Sequence, residues 1–267
     1  MYSTGSIALE KIKKIVEAKG VDTSKPAETI EEREARRKRE TIEFQRLLNQ
    51  QRERERYLYS LWPNDKPLRF TFKDWKPKLQ PNEALGREVG VQAYNLTKQL
   101  QDKNHNVVMW GKPGTGKTSL ALAMLQELMA NEKSGIFVST SELAYLFRLK
   151  ITKKDVEKKL DKVLGQMKEA DVVILDDFGT EGGIVSRVNG DGYKGVNIEL
   201  QEAIYRVANA RFDQQGNTWT GSMIITTNNS REELERMYDG KILSRLIPKE
   251  PAYMINFSKL TDVRGRG

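Results

Sequence analysis

The feature that most limits what this chain can fold into is an eight-residue glycine loop, Gly111-Lys112-Pro113-Gly114-Thr115-Gly116-Lys117-Thr118. A short apolar run, Asn106-Val107-Val108-Met109-Trp110, leads into it. The helix-forming run Ser119-Leu120-Ala121-Leu122-Ala123-Met124-Leu125-Gln126-Glu127-Leu128 leads out. A glycine, four residues and then Gly-Lys-Thr, set between a buried strand and a helix, is a phosphate-binding loop in the context that gives it a mechanism. The glycines let backbone N–H groups turn inward around phosphates, and the helix N-terminus adds the positive end of its dipole. Lys117 then reaches the outer phosphates, Thr118 offers its hydroxyl to Mg2+, and the nucleotide-binding set runs from Gly111 through Ser119.

From residue 83 onward, helical and strand patterns alternate. Helices are expected over 83–101, 118–131, 142–149 (with Ser141 as N-cap), 153–169, 199–213 and 241–246. Strands are expected over 106–110, 135–140, 171–177, 222–227 and 252–257, and Ser230-Arg231-Glu232-Glu233 reads as a capping box opening a further helix. Repeated strand–helix units with near-continuous apolar strands specify an α/β fold, a parallel sheet with helices on both faces.

Ahead of this core the chain changes character. Leu9, Ile12 and Val16 mark a short amphipathic helix over 6–20, and a Lys-Pro connector follows. Residues 28–59 are helical in composition and dense in charge, with Glu32/Arg36 and Glu34/Lys38 at supporting spacing and few large apolar positions: Ile30, Ile42, Phe44, Leu47, Leu48, Tyr57, Leu58 and Tyr59. That is too little apolar surface for an independent core. The segment is either a solvated charged helix or an arm that docks on a partner. Residues 61–81 hold four prolines with Trp62, Phe70, Phe72 and Trp75, and Phe70-Thr71-Phe72 alternates like an edge strand or an extended cover. These aromatics either lie against a nucleotide base or pack at the domain boundary. The expected division is a helical N-terminal region over 1–66, a linker over 67–81 and a nucleotide-binding domain over 82–267.

At 267 residues, 38% hydrophobic and 31% charged, the chain can bury a sizeable core, and it holds no apolar run long enough to span a bilayer. It has no cysteine, which excludes disulfides, thiolate zinc sites and cysteine nucleophiles and agrees with a reducing cytoplasm. His105 is the single histidine, so histidine-based triads are excluded too. It reads as a loop or surface residue. A net charge of +8 makes a polyanionic partner plausible, although many basic proteins have none.

Three further pieces bear chemistry. Val172-Val173-Ile174-Leu175-Asp176-Asp177 is a buried strand ending in two carboxylates, and ligands sit at the carboxyl ends of such strands. Asp176 would face the Mg2+ beside Thr118, and Asp177 would face the γ-phosphate and orient a water for in-line attack. Thr226-Thr227-Asn228 closes the next strand with a polar group able to bond that water. Ser244-Arg245-Leu246 offers a lone arginine that could stabilise transition-state charge. Residues 179–195 carry six glycines and no periodicity, which reads as a long loop. Lys154, Lys158, Lys159 and Lys162 lie on one face of the 153–169 helix, solvated or tracking a nucleic-acid backbone.

In this order the pieces resemble AAA+ ATPases. Phe72-Lys73-Asp74-Trp75, Leu175-Asp176-Asp177-Phe178-Gly179, Ile225-Thr226-Thr227-Asn228 and Leu243-Ser244-Arg245-Leu246 resemble more narrowly the helicase loaders of the DnaC/DnaI type, bacterial and phage, and the transposition helpers called IstB share them. The likeness covers roughly residues 68–267. It implies an AAA+ core without a C-terminal lid domain, Mg-dependent ATP hydrolysis, Asn228 as sensor 1, Arg245 as an arginine finger acting in trans, and Arg264 as the sensor-2 arginine acting in cis. It implies single-stranded DNA contacts from the 141–169 helices, with Arg148, Lys150, Lys154 and Lys158 as candidates. It also implies self-association into an AAA+ oligomer and an N-terminal grip on a hexameric replicative helicase, in a cytoplasmic protein of phage or prophage type. The implied function is ATP-dependent helicase loading onto single-stranded DNA. A transposition helper and a non-hydrolysing adaptor braced by nucleotide are the rivals. Three departures stand out: there is no cysteine for the zinc site of the DnaI branch, the 179–195 loop is long, and Asp177 stands where AAA+ ATPases usually carry Glu, which implies slow turnover.

Overall fold

Strand β1 (Val107–Trp110) shows why this chain builds a covered parallel sheet. Its successive side chains point to opposite faces, and Val107, Val108 and Met109 are all buried, so both faces must be packed. β1 pairs in parallel with β6 (Ser222–Thr227) on one side, Val107 opposite Ile224, and with β7 (Met254–Asn256) on the other, Val108 opposite Met254. β2 (Gly135–Ser139) and β3 (Val172–Asp176) continue the sheet, with Ser139 opposite Asp176, and the strand order is β2-β3-β6-β1-β7.

The computed structural model describes residues 29–182 and 196–265, and side chains at 49, 50 and 52–57 are also outside the description. The helix expected over 6–20 and all but the first four residues of the 179–195 loop lie outside the described residues. The chain divides into two units, Met1–Gln50 and Gln51–Gly267. In the first, the described residues belong to the start of helix α1 (Ile30–Tyr59), which opens on a capping box: Thr29 N donates to Glu32 Oε2 at 2.8 Å and Glu32 N to Thr29 Oγ1 at 3.2 Å. Ile30, Ile42, Phe44, Leu47 and Leu48 are all exposed on it.

In the second unit, α2 (Glu83–Asp102) and α3 (Lys117–Ala130) cover one face of the sheet. Leu96, Leu100, Leu120, Met124 and Leu128 pack there with Met109, Phe137, Ile174 and Ile224. The opposite face is covered by α4 (Thr140–Leu149), α5 (Lys154–Glu169), α6 (Ile198–Ala210), α7 (Arg231–Met237) and α8 (Gly240–Leu246). Phe147, Leu160, Val163, Met167, Ile204 and Leu246 there bury Val108, Val138, Leu175 and Ile225. Each such side chain contributes about 1.5–3 kcal/mol relative to exposure, which makes this two-faced core the main source of stability. Among the described residues no helix is long and apolar enough to cross a membrane.

Four expectations need correction. Residues 70–72 form no strand: Thr71 N and Oγ1 both bond Asp74 Oδ2, at 2.8 and 2.7 Å, and close a single 3-10 turn over Phe72–Asp74. The proline-rich segment is stitched to the core at its start, where Leu61 bridges in parallel to Val138 and Trp62 stacks on Phe137 at 4.5 Å. The sixth helix stops at Ala210, because Asp213 accepts bonds from Gln215 N and Gly216 N, both at 3.0 Å, and turns the chain into a hairpin of β4 (Phe212–Asp213) and β5 (Thr218–Trp219). The helix after β2 begins at Thr140, so Ser141 lies inside it and shares a 2.9 Å hydroxyl contact with Ser139. His105 is no surface residue: it is buried and stacked on Tyr253 at 3.9 Å, and burial holds its imidazole below the usual pKa.

Candidate nucleotide site

The glycine loop leaves β1 and enters α3 through Gly116, the N-cap residue, whose left-handed φ of 96° would strain any other side chain. Thr115 Oγ1 donates to Lys112 O at 2.8 Å and fixes the loop from inside. The Lys117 ammonium is buried at its centre and donates to Gly111 O and Lys112 O, each at 2.8 Å, and to Asn228 Oδ1 at 2.7 Å. Burial lowers its pKa to about 8, against the opposing pull of Asp177 and Asp176.

β3 delivers the carboxylates. Asp176 Oδ1 accepts from Thr118 Oγ1 at 2.9 Å and from Thr226 Oγ1 at 2.7 Å. Burial raises Asp176 to about 6; the neighbouring Asp177 adds to this, while the two threonine hydroxyls oppose it. Asp177 turns out of the strand in the left-handed region (φ 54°), which Asp tolerates better than most residues. Its N–H donates to Thr226 Oγ1 at 2.9 Å, and its Oδ1 accepts from Asn228 Nδ2 at 3.3 Å. Asn228 therefore links Lys117 to Asp177, the cation of the loop to the carboxylate opposite it. Thr140 ties the same turn down, with Oγ1 3.0 Å from Asp176 O and 2.8 Å from Asp177 O.

Lys117, Thr118, Ser119, Asp177, Asn228 and Arg264 line one cavity of about 320 Å³. Arg264 reaches it because Val263 N donates to Gly114 O at 3.0 Å, laying the 261–265 segment along the loop. There the guanidinium is held by Asp262, with Nε–Oδ1 at 3.1 Å and Nη2–Oδ2 at 2.6 Å. A larger cleft of about 560 Å³ between α7, α8 and β1 is mostly apolar and includes no residue of the glycine loop.

Arg245 stands elsewhere. Its backbone carbonyl accepts from Asn106 Nδ2 at 2.8 Å, and Asn106 enters β1 at the end opposite the glycine loop. Its Nε donates to Asn209 Oδ1 at 3.0 Å, and its guanidinium lies 4.9 Å from the centre of the Phe212 ring. Of the basic candidates on the other face, Arg148, Lys154 and Lys158 are exposed. Lys150 is paired with Glu199 at 2.9 Å and lies over Phe147, and Lys162 bonds the Tyr59 hydroxyl at 3.0 Å.

Sequence reasoning missed two contributors. Asp262 was legible only as a neighbour of Arg264, and its position at Gly114 depends on the fold: a Cβ on Gly114 would collide with the Asp262 carboxylate. Thr140 read as the end of a strand, with nothing in the local pattern to show that its hydroxyl reaches the Asp176–Asp177 turn.

Residues 95–247, more than half of the chain, match the family described as IstB-like ATP binding protein. The chain belongs to this family. It is 25% identical over 146 residues to an ATP-binding protein of insertion sequence IS21 from Pseudomonas aeruginosa, covering 55% of this chain and 46% of that one. It is 32% identical over 84 residues to an ATP-binding protein of insertion sequence IS5376 from Geobacillus stearothermophilus, covering 32% of each. The chain thus spans less than half the length of either curated relative. Among solved structures, DnaI superposes with a TM-score of 0.50 at 18% identity, over 76% of this chain and 96% of that one. The IstB-like family agrees with the resemblance carried by the four motifs, and the parallel sheet covered on both faces agrees with the alternating strand and helix pattern.

Proposed function

We propose that this IstB-like chain is an ATPase whose site is completed by a neighbouring copy, and that it spends ATP on placing a hexameric replicative helicase on single-stranded DNA. The observation that carries the first half is the placement of Arg245 at the opposite end of β1 from its own glycine loop. An arginine that serves catalysis from there serves another protomer's nucleotide.

In this reading Lys117 exchanges its carbonyl and Asn228 partners for phosphate oxygens, and Arg264 leaves Asp262 for the γ-phosphate. Asp177, oriented by Asn228, positions a water in line with the γ-phosphorus. The water oxygen bonds phosphorus as the bond to the bridging oxygen breaks, giving ADP and phosphate, and Asp177 receives the water proton. Thr118 and Asp176 would hold Mg2+. The fit is good: a hydroxyl and a carboxylate oxygen lie 2.9 Å apart beside the loop, the hard oxygen ligands that Mg2+ takes. An ion here would share the nucleotide's phosphates, as Mg2+ does in such sites. Bound there, it would supply positive charge to the phosphate oxygens.

Support for the helicase-loading half comes from α1, whose exposed Ile42, Phe44, Leu47 and Leu48 offer apolar anchors on a charged helix. Exposed Arg148, Lys154 and Lys158 suit a single-stranded DNA backbone, and the chain would work in the cytoplasm beside that DNA. A second reading, a transposition helper that binds duplex DNA and recruits a transposase, is favoured by the insertion-sequence relatives. Co-purification decides between them. With ATP and single-stranded DNA present, the cognate replicative helicase should be retained; retention of a transposase and duplex DNA instead sinks the loader reading. If Asp177→Asn leaves function untouched, nucleotide is only a brace.

A further inference from the structure

We infer that Trp75 is a positioning residue for the phosphate loop, a rigid strut that sets where Gly116, and with it Lys117, can stand. This inference rests on the reading of Gly111–Thr118 as an ATP site.

The strut is anchored before it reaches the loop. The Thr71–Asp74 bonds fix the turn that presents it. The Phe72 ring meets Tyr94 of α2 edge-on, 5.3 Å between centroids. The indole Nε1–H donates to Gly86 O on α2 at 2.9 Å. One helical turn on, Gly90 leaves the space the indole occupies: a Cβ there would lie 2.7 Å from Trp75 Nε1 and 2.8 Å from Cδ1. The far end of the same ring presses on the phosphate loop, where a Cβ on Gly116 would lie 2.6 Å from Trp75 Cζ3. One rigid bicycle therefore touches α2 at its pyrrole end and the N-cap of α3 at its benzene end. Neither glycine could carry a Cβ without displacing the ring, and close-packed interiors transmit small displacements.

Trp75 does not line the phosphate cavity, so it acts through Gly116 and not on the nucleotide. Its effect is on preorganisation. Lys117 must leave three acceptors for phosphate while the loop keeps its shape, and a loop held from behind loses less order on binding.

The test is a double-mutant cycle on ATP affinity in the full chain, with Gly90→Ala, Trp75→Leu and the double variant. Gly90→Ala pushes the indole toward Gly116 and should weaken ATP binding about tenfold, as should Trp75→Leu, while the double variant should be no weaker than Trp75→Leu alone. Trp75→Phe, which keeps a shorter ring, should recover part of the loss. Additive losses in the cycle, unchanged affinity in either single variant, or no recovery in Trp75→Phe each overturn the strut. If Trp75→Leu does not fold, the affinities of Gly90→Ala and Trp75→Phe decide the question without it. A wild-type chain that fails to bind ATP refutes the site itself.

Discussion

Replacing Arg211 by Met should cost this protein more stability than any single change on its surface. Arg211 is almost wholly buried, 1% exposed, at the end of α6. Its Nη1 donates to Met167 O at 2.8 Å and to Ala170 O, and its Nη2 to Asp171 O at 2.9 Å and Ser222 O at 2.8 Å. These carbonyls belong to the last turn of α5, the entry to β3 and the first residue of β6, so one guanidinium joins three elements under the sheet. Met fills much of the volume but donates nothing, and four carbonyls lose a partner. A hydrogen bond to a charged group is worth about 1.5–3 kcal/mol, so the gross loss exceeds 6 kcal/mol on the order-of-magnitude scale. Relief of the buried charge offsets part of it, since burial already depresses the guanidinium pKa to about 10. The net expectation is about 3–5 kcal/mol, or roughly a 10 °C drop in Tm for a unit of this size. Arg211→Lys, with one fewer reach, should fall between the two. Urea and thermal unfolding followed by far-UV circular dichroism measure both. A Met variant within about 1 kcal/mol of wild type would show that the carbonyls find other partners and that the guanidinium is not the joint described.

Two other outcomes follow from the site and its surroundings. Asp262→Asn removes the charge that holds Arg264; because the pair is exposed and weak, ATP affinity measured by titration should tighten only about two- to fivefold, and Arg264→Ala should weaken it. A looser Asp262→Asn variant contradicts the assigned competition. Burial lowers the His105 pKa, so as pH falls the unfolded chain takes up a proton near the ordinary value of 6.5, before the folded chain does. Below that pH the unfolded state binds more protons, and stability should fall as pH drops from about 6.5. Urea midpoints should show that decline flattened in His105→Gln, and an unaltered slope would assign it to other groups.

Much of the sheet and the core of the site were legible in residue patterns, for a physical reason. A strand buried on both faces writes a continuous apolar run, as in Val172–Leu175, and the glycine loop and Ser230 capping box are fixed by local backbone needs that only certain residues meet. The Ser230 box formed as expected, with Ser230 N bonding Glu233 Oε2 at 2.7 Å and Glu233 N bonding Ser230 Oγ at 3.2 Å. What periodicity could not show were partners supplied from far along the chain. Arg211 at a helix end reads as a surface charge until α5 brings its carbonyls. His105 reads as a loop or surface residue until Tyr253 covers it, and Trp75 reads as either a cover for a nucleotide base or packing at the domain boundary until Gly90 on α2 and Gly116 on the phosphate loop turn out to leave room for its ring.

The central claim is that Arg245 completes a neighbour's site, and mixing two inactive variants tests it most directly. Asp177→Asn keeps the arginine but lacks the hydrolytic carboxylate; Arg245→Ala keeps the carboxylate but lacks the arginine. Each alone should bind ATP and turn it over little. Mixed in equal amounts, they form contacts in which an intact Asp177 site meets an intact Arg245. A trans arginine predicts that ATP turnover reappears on mixing and rises with protein concentration. Turnover that stays at the level of the separate variants, under conditions where the chains associate, would place Arg245 outside catalysis or within its own protomer.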